Sequence, residues 1–312
     1  MASPRRRAFP LVPRRRMTGV AYGTQRSLRR GQGAEIAGAR PYRPGDRLAW
    51  IDWYASARQS LVADDDVFVV REYYAELAPR VIILADRRPS MALYSPDLPW
   101  LAKQDVLREA TTAIVAAGHA ARAYVGYLDF SGGGSEHEDG LPHWLAPHRQ
   151  NDRLIAHRLG QKFDAPTNSL ELAIDYLLGL QRDVPAGSFV FVISDFLLSP
   201  PEHLWSRTRA RGWDLVPVII QDRVWEQSFP PVQGLLVPIT DPETGKTASV
   251  RLSAREVDER RRSNEKRLED LVHGFQRLQF DPVLLDTSDP AMIDLKFISW
   301  ATRRRLTRGQ KR

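Results

Sequence analysis

From Arg80 onward, apolar runs of strand length alternate with longer stretches of helical spacing. Val81–Ala85 is a continuous apolar run, the pattern of a strand covered on both faces. Over Trp100–His119, the residues Leu101, Val106, Leu107, Ala110, Ile114 and Val115 fall near helical spacing. The same reading predicts strands at Tyr124–Phe130, Ser188–Ser194, Trp213–Ile220 and Phe280–Leu285. It predicts helices over Asp152–Gly160, Leu170–Leu180, Pro201–Arg211, Ser253–Leu278 and Pro290–Leu306. Ser131–Gly140, polar and glycine-rich, reads as a loop, and Leu235–Leu252 alternates like a hairpin turning at Asp241–Gly245. Strands separated by helices imply an α/β fold with a doubly wound, mostly parallel, Rossmann-like sheet.

Residues 31–80 differ. Gly31, Gly33, Pro41, Pro44 and Gly45 punctuate short β-prone pieces such as Trp50–Trp53 and Val67–Tyr74, which predicts a small β subdomain. The organisation expected is a basic, flexible arm over 1–30 and that subdomain over 31–80, joined by the hairpin 230–252. The core then comprises 81–229 and 253–306, with a basic tail at 307–312. Either Met1 or Met17 can serve as the start.

The 43% hydrophobic and 27% charged residues mark a globular chain rather than a disordered one. With no cysteine, disulfides and thiolate metal sites are excluded. No apolar run approaches the ~20 residues of a membrane helix, so a cytoplasmic location is expected. The net charge is +7, and only six of the 45 basic residues are lysine. The arginines cluster at Arg5–Arg7, Arg14–Arg16, Arg29–Arg30, Arg260–Arg262 and Arg303–Arg305. Solvated faces and tails account for them, while a nucleic-acid-binding protein using the arginine-rich arm and C-terminal helix is the alternative. There is no phosphate-cradling G-x-x-x-x-G-K and no nucleophile elbow. A Mg²⁺-dependent hydrolase built on Asp86, Asp195 and Asp52 is a further alternative, but it lacks a recognisable base or nucleophile.

In an open doubly wound sheet, ligands bind beyond the carboxyl ends of the strands. Oxygen-bearing residues gather there: Asp86 and Ser90 after the first strand, Asp195 after Phe189–Ile193, and Thr167 before a helix. Such hard donors suit Mg²⁺.

The segment Arg40-Pro41-Tyr42-Arg43-Pro44-Gly45-Asp46, then Ile51-Asp52-Trp53 and Ser56-Ala57-Arg58, resembles the signature of the domain-of-unknown-function-58 family. Gly31-Gln32-Gly33, Asp86, Ser90-Met91, Lys103, Gly126, Ser194-Asp195-Phe196 and Arg303–Arg305 follow that family's order, and the core is similar to a von Willebrand factor type A domain. The resemblance implies a binding module, often encoded beside a MoxR-type AAA+ ATPase and acting in assembly or activation of other proteins. It also implies a metal-adhesion site, D-x-S-x-S with a distant Thr and Asp. Carried over, Asp86, Ser90, Thr167 and Asp195 become the metal ligands. Arg40, Tyr42, Gly45, Asp46, Asp52, Trp53 and Arg58 become the structural signature.

Arg88 stands where that pattern has its first serine, so the metal-adhesion loop is degenerate. A guanidinium ~4 Å from a divalent ion, at an effective dielectric of ~20, would cost about 8 kcal/mol. Arg88 is therefore expected to pair with Asp86 or Asp195 and replace the cation. The rim of partner-binding residues is Asp86, Arg88, Ser90, Thr167 and Asp195. Asp46 and Asp52 read as buried acceptors for turn amides, or for Arg43 or Arg58, which lock the β subdomain onto the sheet. His137, His143 and His148 fall in the loop region and lack zinc spacing. The charged helix beginning at Ala254 reads as an ordinary amphipathic helix, with partner binding as its alternative.

Overall fold

The computed structural model describes all residues except 1–7, 15–20, 95–98, 132–140, 242–243 and 310–312, and excludes the side chains of 21–37, 73–77 and 308–309. Most of the expected loop 131–140, the arginines at 5–7 and 15–16, and His137 lie outside the described residues. The chain forms two units, Arg15–Pro79 and a larger one of Met1–Arg14 with Arg80–Arg312.

In the smaller unit, β1 (Ala21–Pro41) pairs antiparallel with β2 (Val69–Leu77) through several register shifts. The last third of the residues expected to form a flexible arm, 21–30, is therefore strand. Between these strands, Trp50–Trp53 forms no strand, and only Ile51 makes an isolated antiparallel bridge, to Val70. A 3-10 turn (Leu48–Trp50) runs into α1 (Trp53–Ala63), because Asp52 caps the helix by accepting from the Ala55 amide at 3.1 Å. Helical periodicity did not reveal α1, whose apolar residues Trp53, Tyr54, Leu61 and Val62 are all exposed.

The larger unit carries β3 (Arg80–Ala85), α2 (Lys103–Ala120), β4 (Tyr124–Ser131), β5 (Leu141–His148), α3 (Asp152–Leu159), α4 (Ser169–Gly179) and β6 (Phe189–Ser194). It continues with α5 (Glu202–Ala210), β7 (Asp214–Ile220), the hairpin β8 (Leu236–Thr240) and β9 (Thr247–Arg251), α6 (Ala254–Arg277), β10 (Val283–Leu285) and α7 (Pro290–Gly309). The sheet runs β10-β7-β6-β3-β4-β5, parallel except for β5, and its order reverses between β3 and β6. Apart from the end residues Arg80, Ser194 and Asp214, β3, β6 and β7 are apolar because helices cover both faces. Alternate residues Ile82, Leu84, Val190 and Val192 pack on α4 and α5, with Phe275 of α6 joining them. On the opposite face, Phe191 meets Trp300 of α7.

The hairpin, expected to go with residues 31–80, falls within this larger unit. It leads into α6 through the buried Leu252, whose carbonyl accepts from Gly234 N at 2.9 Å. β5 was missed because it is a half-exposed edge strand interrupted by proline and histidine. His143 and His148 lie in it.

The arm expectation also fails at Phe9, Leu11 and Val12, which are core residues. Phe9 stacks on Phe297 at 4.7 Å and meets Phe191 and Trp300 edge-on. Arginine-rich flanks hid this apolar plug. Phe9→Ala is expected to lower stability by about 3–5 kcal/mol, the usual cost of deleting a buried aromatic ring. Urea unfolding checks this; an unchanged midpoint would mean the segment is dispensable.

Candidate functional site

Asp86 and Asp195 leave the carboxyl ends of adjacent strands, where Ala85 of β3 is in register with Ile193 of β6. The Asp86 amide donates to Ile193 O at 2.9 Å, which fixes the first turn beyond the sheet. Arg88, only 1% exposed, folds back onto Asp86: Nη2 donates to Oδ2 at 2.6 Å, and Nε to both oxygens at 3.0 and 3.1 Å. The same Nη2 reaches Ser194 Oγ at 3.2 Å and Asp195 Oδ1 at 3.4 Å, while Nη1 donates to Leu198 O. Ser194 Oγ in turn donates to Asp86 Oδ2 at 2.7 Å. The guanidinium thus lies between the two carboxylates.

A second cation completes the cluster. Lys103, fully buried at the start of α2, donates to Asp195 Oδ2 and to Ser90 O, both at 3.1 Å, and pairs with Glu226. Burial pushes the Asp195 carboxyl up, but Lys103 and Arg88 overcome this and hold it below the ordinary range, with help from the Leu197 amide and Ser90. Glu226 goes the other way: burial raises it, and Lys103 recovers only part of the shift. Asp222 accepts from the amides of Leu101, Val224 and Trp225, which fastens the loop after β7 over Lys103.

Arg87 turns to the opposite side. It is buried against the Phe163 ring at 4.3 Å and donates to Gln161 O and Lys162 O. Asp129, at the end of β4, is 3.9 Å from Arg87 Nε and takes a fork from Arg158. Successive arginines therefore insert on either side of β3.

Asp86, Arg88, Ser90 and Asp195 are brought together, but Thr167 is not. Arg87 O accepts from Ala165 N, and the chain then turns into α4, leaving Thr167 exposed and without a hydrogen bond among the described residues. Lys103 and Glu226 were not foreseen as site residues. Lys103 had a signal: it shares the apolar face of α2 with Val106, Leu107, Ala110 and Ile114, where an unpaired ammonium would be costly. Glu226 had none. Among the described residues, no three His, Cys, Asp or Glu side chains gather as a metal centre would require.

The signature residues lie in the smaller unit. Arg40 forks onto Asp46, with both bonds 2.7 Å, and also reaches Glu72, while the Arg43 amide donates to Asp46. Gly45 supplies the positive φ (100°) that this turn needs. Tyr42 N donates to Phe68 O. Asp52 pairs with Arg71 at 2.9 Å, not with Arg43 or Arg58; Arg58 lies over the Tyr54 ring, and Trp53 is exposed. Both aspartates are half-buried, and these bonds all fall within that unit. The Arg40 bonds hold Asp46 at about 2, below its ordinary value. A depressed carboxylate contributes stability above its unfolded pKa of ~4 and loses it as pH falls through the folded value. Protection of this turn is therefore expected to fade between pH ~4 and ~2, and in Asp46→Asn to show no such transition; NMR of the Gly45 amide would report it.

The fold and site define an α/β protein with a closed, charge-compensated cluster at the carboxyl edge of its sheet. The chain belongs to the DUF58 family of proteins of unknown function, whose profile matches residues 38–269. No curated protein matches it. Among solved structures it is similar to the conserved hypothetical protein BatB of Bacteroides thetaiotaomicron, at 16% identity over 72% of this chain and 100% of that one, TM-score 0.40. An aerotolerance-related membrane protein of Bacteroides fragilis is 14% identical over 71% and 100%, TM-score 0.39. The PilB minor pilin of Streptococcus sanguinis is 8% identical over 77% and 64%, TM-score 0.39. Among the described residues no helix is long and apolar enough to cross a membrane.

Proposed function

We propose that this chain is a non-enzymatic, cytoplasmic adaptor of von Willebrand type A topology that binds a protein partner through the loops at the carboxyl edge of its sheet. The family resemblance points to a MoxR-type AAA+ ATPase as that partner, in the assembly or activation of other proteins. The observation supporting a binding rather than a catalytic role is the sealing of the cluster. Asp86, Arg88, Lys103 and Asp195 are at most 1% exposed, and each carboxylate is already engaged by a cation. A general base or nucleophile needs access to substrate, and these groups have none.

The donors do not suit a divalent ion either. It would have to sit against the Arg88 guanidinium on Asp86 and the Lys103 ammonium on Asp195, with Thr167 turned outward. In this reading the two side-chain cations hold the loops as a metal would, and the exposed residues around them, Thr167 and Leu198, meet the partner.

Nucleic-acid binding is disfavoured by the state of the arginines. Arg304 is buried on Asp214 and Asp281, and Arg261 and Arg262 pair with Asp258. The test is co-purification with a MoxR-type ATPase in the presence of ATP, comparing the parent with Thr167→Glu and Leu198→Asp. The reading expects a complex weakened at least tenfold by the exposed rim changes. A complex indifferent to both, or a salt-steep gel shift with DNA instead, would overturn it.

A further inference from the structure

A groove opens between the N-terminal end of α5 and the last turns of α6, with a cavity volume of about 170 Å³. Trp205, Leu271, Phe275 and Leu278 make it apolar. Its floor is Gly274, inside α6, where a helix ordinarily gains stability from any residue with a side chain. No packing demand accounts for that glycine: an added Cβ would meet nothing within 4 Å, and its φ is not positive. What the missing side chain provides is open space.

The rim sets the chemistry. Glu202, Asp270 and Arg277 border the groove, and none has a hydrogen-bond or ion-pair partner among the described residues. Glu202 lies in the first turn of α5 and Arg277 in the last turn of α6, so each is balanced by its helix dipole. Asp270 has no such balance. The groove is therefore net acidic on a chain whose total charge is +7.

It also shares a wall with the ion cluster. Phe196, directly after Asp195, adopts a left-handed φ of 50° and packs edge-on against Phe275 at 5.2 Å. Leu198, whose carbonyl takes Arg88 Nη1, leads into Ser199 and Pro200 on the groove's edge.

We propose that this groove is the docking site for a partner-protein segment that inserts one leucine-sized apolar side chain flanked by basic residues. The inference rests on the adaptor reading and names the chemistry that the partner presents.

The probe is a fluorescein-labelled hexapeptide of alternating leucine and lysine, followed by anisotropy, with alanine–lysine and leucine–glutamate peptides as controls. The parent binds leucine–lysine at least tenfold more tightly than either control. Gly274→Ala keeps that binding within about twofold and melts ~2 °C higher, because the helix gains and the groove stays open. Gly274→Leu fills the groove and weakens binding at least tenfold without lowering the melting temperature. Absence of leucine–lysine binding, equal affinity for leucine–glutamate, or no effect of Gly274→Leu would overturn the proposal. So would self-association of the chain, seen by sedimentation and lost in Gly274→Leu, since the occupant would then be a second copy. Peptide binding without the ATPase complex would refute the partner assignment alone; an ATPase complex indifferent to Gly274→Leu would refute the groove alone.

Discussion

Replacing Arg88 by alanine is expected to destabilise the larger unit by about 3–5 kcal/mol, the usual cost of leaving a buried charge without its partner. At about 2 °C per kcal/mol for a protein of this size, melting falls by roughly 6–10 °C. The cause is specific. Asp86 is 1% exposed and takes three of its bonds from the Arg88 side chain, so only Ser194 and the Arg88 amide would remain. Removing the charge at the other end as well, in Asp86→Asn/Arg88→Ala measured beside Asp86→Asn alone, is expected to recover more than half of the loss. Calorimetry of the four proteins closes the cycle. Additive losses would mean that the pair does not act as a pair.

Lys103→Met is expected to cost a comparable amount at pH 7, on the order of 3–5 kcal/mol, and to change how stability depends on pH. In the parent, Lys103 helps hold Asp195 below its ordinary range, so this carboxylate adds stability above its unfolded pKa of ~4 and loses it on acidification. Without the ammonium, burial raises the Glu226 carboxyl further, and Asp195 loses one of the two cations that hold it down. A raised carboxyl stabilises fully below the unfolded pKa, and that contribution vanishes as pH climbs through the folded value. Between pH ~4 and 7 the variant should therefore gain stability on acidification relative to the parent. Urea midpoints at pH 7 and 4.5 decide it; a constant difference between the two proteins would count against the cluster.

The sheet was legible because β3, β6 and β7 are apolar runs broken only by a polar residue at one end of each, a pattern that burial on both faces imposes. Elements without such a face were not. β5 is a half-exposed edge strand, α1 exposes its apolar side chains, and Phe9, Leu11 and Val12 lie among arginines that read as a solvated tail. The hairpin was visible as alternation, but alternation does not say which unit it joins.

At the site, Arg88 could be singled out because a charge replaced a hydroxyl within a recognisable loop. The structure places it against Asp86 and near Asp195. Lys103 was readable in principle as a cation on an apolar helix face. Glu226 was not, since nothing local links a loop after β7 to the start of α2. Thr167 fits the motif by order along the chain, whereas a backbone bond to Arg87 O determines where the turn goes.

The central claim is that Arg88 and Lys103 stand in for a divalent cation between Asp86 and Asp195. Isothermal titration of the full chain with Mg²⁺ and Mn²⁺ tests it most directly. No heat of sub-millimolar binding is predicted for the parent. Sub-millimolar binding abolished by Asp195→Ala would contradict the account.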